Sequence, residues 1–291
     1  MLTQLLTIIA PVAIAVAIGF FWKRQGRDFD VGLVSALVTN IGTPCLVFST
    51  LVNVKIPREA FFEMALATLV TLVSFAVIAT VVLRLSGTDR RTYLPSMIFA
   101  NTGNMGLPLS LFAFGADGLA LSVTYFAIHL VLLFTLGEML SAGSLSIARL
   151  LKQPFIYAAG AAIVFLLGDI PVPLWIANTT KLLGDFTIPL MLITLGISLA
   201  GLKIGGVRRS LLLAGLRMVM GFAVGLATAI AFDLEGASRG VLILQSTMPV
   251  AVFNYLFAVR NGNAPEEVAG VIVLSTAMSF ITLPALLWFV I

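Results

Sequence analysis

Residues 98–113 read IFANTGNMGLPLSLFA, and residues 243–258 read ILQSTMPVAVFNYLFA. Each stretch lies inside a long apolar run, yet each carries amides, hydroxyls and helix-breaking residues. In the first, Gly103 and Gly106 relax the backbone, while Pro108 removes a donor and frees a carbonyl one turn earlier. In the second, Gln245, Ser246, Thr247 and Asn254 surround Pro249. Backbone groups left unpaired in hydrocarbon are costly, so such breaks are tolerated only where they face protein or a water-filled cavity. The two stretches predict two helices broken near the centre of a membrane.

The remainder of the chain supplies that membrane. Of 291 residues, 60% are hydrophobic and 10% are charged, and the mean hydropathy is +1.11. A soluble domain carries roughly a quarter charged residues. Apolar runs fall near 2–22, 32–52, 61–84, 93–115 and 118–140, then near 154–169, 173–202, 210–232, 237–259 and 267–290. Each is close to the ~20 residues that cross ~30 Å of hydrocarbon. The reading is an all-α polytopic membrane protein of ten transmembrane helices. The first run is not expected to be a secretory leader, because MLTQ is uncharged and Lys23, Arg24 and Arg27 follow the run instead of preceding it. It predicts a retained helix with its N-terminus outside.

Charge placement sets the orientation. With the N-terminus outside, the inward loops hold Lys23, Arg24, Arg27, Arg84, Arg90, Arg91, Arg149, Lys152, Lys203, Arg208, Arg209 and Arg260. The outward loops hold Lys55, Arg58 and Arg239. This asymmetry predicts both termini in the periplasm of a bacterial inner membrane. It also accounts for the net charge of +4, which leaves no support for nucleic-acid binding.

A shift of 145 residues sets Pro44 on Pro189, Asn40 on Asp185 and Ser49 on Thr194, with Ile98, Thr102 and Leu111 on Ile243, Thr247 and Leu256. The expected halves are 1–145 and 146–291. Five helices in each half is an odd number, so the second half enters the membrane inverted, an architecture of secondary transporters. Breaks are expected at Pro44, Gly106, Pro108, Pro189 and Pro249.

Two broken helices crossing at the midplane direct half-helix N-termini, each partially positive, toward one point. The expected ligands of a carboxylate there are Asn101, Thr102, Gly103, Asn104, Gln245, Ser246, Thr247 and Pro249. The competing reading makes these residues interhelical glue, with the glycines allowing close packing. Asp185 is a candidate for H+ or Na+ coupling, or else the partner of Lys181 or Arg217. Glu138 and Arg217 lie within about two turns of span ends and are expected to snorkel. His129 is read as a packed or hydrogen-bonded helix-face residue, with a proton relay as the alternative. No hydrolase, metalloprotease or phosphate-loop motif is present, and one histidine with one cysteine cannot build a zinc site. The chain is therefore not expected to be an enzyme or to carry a cofactor or metal.

In ANTGNMGLPL, STMPVAVFNYLFA and TPCLVFSTL the chain resembles the auxin efflux carrier family, which includes bacterial dicarboxylate carriers and plant auxin exporters. The resemblance implies an elevator-type homodimer, with spans 1, 2, 6 and 7 as scaffold and spans 3–5 and 8–10 as the moving transport domain. It implies that Asn101 contacts the carboxylate of a small organic anion at the crossover of spans 4 and 9, and that Pro249 is a crossover proline. Gly103 and Asn104 stand where the plant exporters have apolar residues. The bile-acid-type sodium symporters share the implied fold and form the runner-up, although spans 4 and 9 lack acidic residues. A non-transporting membrane sensor is the reading from another class.

Overall fold

Proline and glycine positions divide the chain before tertiary packing is considered. The computed structural model describes residues 2–53, 57–143, 151–168 and 170–291; Lys55 and Arg149 lie outside the described residues. The helices are α1 (Leu2–Arg24), α2 (Val31–Val52), α3 (Arg58–Leu85), α4 (Arg90–Ile98), α5 (Thr102–Ala142) and α6 (Pro154–Leu167). They continue with α7 (Leu174–Gly201), α8 (Val207–Ala231), α9 (Gly236–Thr247), α10 (Phe253–Asn261) and α11 (Pro265–Val290). Seven of these helices are long and apolar enough to cross a membrane, and α6 is a shorter apolar helix. Among the described residues the only β-pairing is an isolated antiparallel bridge between Ala100 and Val250.

Each expected proline break coincides with a local distortion. A proline ring clashes with the carbonyl four residues earlier and offers it no N–H. For Pro108 that carbonyl belongs to Asn104, inside a π-helical turn at Thr102–Gly106. For Pro44 it belongs to Asn40, inside a second such turn at Val38–Gly42. For Pro189 it belongs to Asp185, the last residue before α7 bends at Phe186. A further break lies at Gly115 in α5, with φ 68° and ψ −155°. That conformation is open to glycine and poor for any residue with a Cβ.

The helices pack as two groups. The C-terminal half of α2 lies on α6 and on the first half of α7, and α1 runs along the second half of α7. Gly19 and Gly196 bring α1 and α7 into backbone contact, since a Cβ on either would strike the other helix's main chain (Ile193 and Val16). The second group joins α3 to α4, α5 and α8, and α8 to α9 and α11. Large apolar side chains such as Phe62, Val73, Leu212, Val219 and Ile281 are exposed on its outer faces, as lipid as solvent requires.

Outside the membrane-length helices, Asp89 caps α4. Its carboxylate accepts from the Arg91 and Thr92 amides at 3.4 and 2.9 Å and from the Thr92 hydroxyl at 2.5 Å. The Thr92 hydroxyl bond, the largest cause, holds the Asp89 carboxyl below its ordinary value of 3.8. A depressed carboxylate contributes stability above its unfolded pKa and loses it as pH falls through the folded value. Asp89→Ala should therefore cost about 0.5–2 kcal/mol at neutral pH. The deficit should vanish once the cap is protonated in strong acid. Thermal unfolding of both proteins across that pH range measures the difference.

Candidate functional site

The two motifs meet at the Ala100–Val250 bridge. α4 ends at Ile98, the chain is extended at Phe99 (φ −95°, ψ 107°), and α5 starts at Thr102. α9 ends at Thr247, Met248 is extended (φ −57°, ψ 148°), and α10 starts at Phe253. Across the bridge the Asn101 amide donates to Pro249 O at 2.7 Å, and the Ala251 amide donates to Phe99 O at 3.1 Å. These two bonds are symmetric about the bridging pair, so Asn101 corresponds to Ala251 and Asn104 to Asn254. That spacing is 250 − 100 = 150 residues, five more than the gapless shift of 145 read from the sequence.

Side chains satisfy the remaining backbone groups, as burial demands. The Ala100 amide donates to His129 Nε2 at 3.1 Å. An N–H can only donate, so His129 carries its proton on Nδ1, which lies 3.3 Å from the Thr102 hydroxyl. The Val250 amide donates to Ser275 Oγ at 3.1 Å, and Asn254 Nδ2 donates to Phe99 O at 3.0 Å. Arg217 Nη1 donates to Ser246 O at 3.0 Å, at the carbonyl end of α9. A cation is favoured at that end of a helix.

A cavity of about 580 Å³ opens beside this crossing. Asn101, Thr102, Gly103 and Asn104 of α5's start form one wall, and Ala251, Val252 and Phe253 at the start of α10 form another. Opposite stand Val38 and Thr39 of α2's π-turn, Thr43 just after it, and Met191, Thr194 and Ser198 of α7. The cavity thus lies between the two helix groups, with two half-helix N-termini on the side of the broken helices. Asn101 is 4% exposed, and its Nδ2 has no hydrogen-bond partner. The Thr194 hydroxyl, also on the lining, is likewise unpartnered. Among the described lining residues Lys23 is the one Lys or Arg, and none is acidic. Among the described residues no group of His, Cys, Asp and Glu gathers as metal ligands.

Residues 4–146 and 138–287 match the family described as membrane transport proteins. The chain belongs to the auxin efflux carrier family. An uncharacterized transporter of Methanothermobacter thermautotrophicus is 27% identical over 308 residues, spanning 97% of this chain and 97% of that protein. Together with its membrane-length helices, this membership makes the chain a multi-pass membrane transporter.

In this auxin efflux carrier family member the expected site residues divide into two sets. Asn101, Thr102, Gly103 and Asn104 reach the cavity. Gln245, Ser246 and Thr247 do not line it, because they form α9's last turn, before the break. Gln245 Nε2 donates to the Ser122 hydroxyl, and Thr247 Oγ1 donates to Ile243 O at 2.7 Å. Pro249 contributes its carbonyl to the bridge. Asp185 is away from the cavity, on the surface of α7, paired with Lys181 at 2.8 Å. His129 lines the cavity as a hydrogen-bonded residue, the first of the two roles expected for it.

Two charged residues depart from the sequence reading. Arg217 does not snorkel: it is 0% exposed, with its guanidinium 4.6 Å from the centre of the Phe75 ring. Gly221 and Gly225, one and two turns along the same face of α8, bring α8 onto α9's last turn and enclose the side chain. Glu138 is 2% exposed and does not reach outward either; Arg260 Nη1 comes to it at 3.2 Å. Hydropathy alone could not place Arg217, although an Arg in register with two glycines on one helix face was the available signal.

Proposed function

We propose that the chain is a secondary carrier of small mono- or dicarboxylates, working by elevator alternating access. The carboxylate binds at the crossing, to Asn101 Nδ2 and the first-turn amides of α5, with the N-terminus of α10 adding to the positive field. The observation that carries this reading is Asn101's buried, unpartnered donor on the wall of a cavity faced by two helix N-termini. A charge-assisted hydrogen bond is the strongest use of such a donor. A buried full positive charge is not needed to attract the anion.

Ten crossings and an inverted repeat are part of this proposal. α5 runs through 41 residues, about twice the length that spans a bilayer, and Gly115 divides it. Taking α4 with α5's first arm as one crossing, α5's second arm as the next, and α9 with α10 as one more gives five per half. The α1, α2, α6 and α7 group serves as scaffold and dimer contact, and the other group moves. Lys23, which lines the cavity, lies at the end of α1 where the basic loops gather, and with those loops cytoplasmic this supports an inward-facing conformation. Asp185 has no place in this mechanism, because Lys181 neutralises it away from the path.

The deciding experiment is uptake of labelled mono- and dicarboxylates into proteoliposomes holding the purified protein, with and without Na+ and pH gradients. Saturable flux of at least one carboxylate is expected. Absence of flux across the panel would remove the carrier reading, and strict dependence on Na+ would favour the sodium-symporter mechanism instead.

A further inference from the structure

Of the buried charges among the described residues, Glu138 is paired with Arg260, whereas the transport reading leaves Arg217 unused beyond its bond to α9. Its Nη1 is occupied by Ser246 O, but Nε and Nη2 are buried without hydrogen-bond partners. These two nitrogens lie on the same edge of the planar guanidinium, the fork with which arginine grips an anion. Two further donors stand beside it. The Ser246 hydroxyl belongs to the residue whose carbonyl takes Nη1, the Tyr125 hydroxyl lies beside it, and both hydroxyls are buried and without a hydrogen-bond partner. Among the described residues no carboxylate pairs with Arg217, and the Tyr125 hydroxyl near it is a neutral donor. The arrangement is a full positive charge and a cluster of O–H and N–H donors, closed off against the Phe75 ring.

We propose that this cluster is a binding site for a monatomic anion, a halide, held by the Nε and Nη2 edge of Arg217 with the Tyr125 and Ser246 hydroxyls. Every group in it donates and one is cationic, so the chemistry selects an anion. Arg217, Tyr125 and Ser246 are each 0% exposed, and none lines the 580 Å³ cavity. The cluster is therefore separate from the substrate crossing, and a compact ion is the anion that closed donors admit with the least displacement. The bound halide neutralises the guanidinium behind the crossing and fixes Tyr125, which stacks on His129 with ring centres 6.4 Å apart. The site is thus coupled to the side chain that pins the Ala100 amide. It does not depend on the substrate reading.

The test is thermal unfolding of the purified full chain at equal ionic strength in chloride, bromide, formate or gluconate. A ligand that binds only the folded protein raises the midpoint with concentration, so chloride and bromide should stabilise the protein and gluconate should not. Tyr125→Phe and Ser246→Ala keep the charge and each remove one donor; each should weaken the apparent halide affinity roughly 10-fold or more. Arg217→Met should abolish the halide response, and the two hydroxyl variants keep the test open if that variant does not fold. Equal midpoints in chloride and gluconate overturn the proposal, as does a halide response untouched by both hydroxyl variants. Stabilisation by formate but not by halide also overturns it. Carboxylate flux without a halide effect leaves the carrier reading standing and removes only this site.

Discussion

Asn101→Ala should raise the half-saturating substrate concentration for carboxylate flux roughly 10- to 150-fold while leaving the protein folded and inserted. The magnitude follows from a hydrogen bond to a charged group, about 1.5–3 kcal/mol, at about 1.4 kcal/mol per decade. Folding should be spared because Asn101's structural contribution is made by its backbone. The amide donates to Pro249 O and the carbonyl accepts from Met105 and Gly106 at 3.3 and 3.2 Å, and alanine retains all three bonds. The side-chain Nδ2 has no protein partner to lose. Asn101→Asp should be worse than alanine, since it sets a negative charge beside an anion within the same cavity. Concentration-dependent uptake in proteoliposomes reads the first effect, and the unfolding midpoint checks the second. If the alanine variant transports carboxylate at the original apparent affinity, the crossing is packing and the substrate sits elsewhere.

The breaks themselves were legible in the sequence because their causes are local. Pro44, Pro108 and Pro189 each act on a carbonyl four residues back, and in each case the helix distorts at or just after that carbonyl. The register between the two motifs was not legible. Aligning them without a gap sets Ser246 on Asn101 and suggests equal roles. In the structure Asn101 follows its break and Ser246 precedes its own. The difference is chemical as well as positional. Residues after a break present amide N–H groups at a helix N-terminus, and residues before it present carbonyls at a helix C-terminus. Ser246 accordingly offers its carbonyl to the Arg217 cation, while Asn101 faces the cavity. Counting outward from the bridge sets Asn104 opposite Asn254, but Asn104 lines the cavity while Asn254 spends its amide on Phe99 O. Arg217 was missed for a related reason: distance from a span end predicts snorkelling only when nothing covers the helix face, and Gly221 and Gly225 let α9 cover it.

His129→Leu should destabilise the protein by about 2–4 kcal/mol, and His129→Gln should recover most of that loss. The leucine removes the acceptor of the Ala100 amide and leaves a buried donor unpaired, at about 1–3 kcal/mol. It also removes an edge-to-face ring contact with Phe99, whose centroid is 5.4 Å away, worth about 0.5–1.5 kcal/mol. Ala100 sits in the two-residue bridge, so no neighbouring carbonyl of a helix ladder can take its amide. Glutamine places an oxygen near the Nε2 position and can accept the same bond, although it has no ring for Phe99. Unfolding midpoints of the three proteins in one detergent should therefore run wild type, glutamine, leucine. Flux distinguishes this role from a proton relay. A relay needs a titrating ring, so His129→Gln would erase any response of uptake to a pH gradient. A residue that only holds the Ala100 amide leaves that response unchanged in the glutamine variant, and this unchanged response is the result expected. If glutamine is as unstable as leucine, the Ala100 bond is not what His129 contributes, and the crossing is held by its other bonds to Pro249, Ser275 and Asn254.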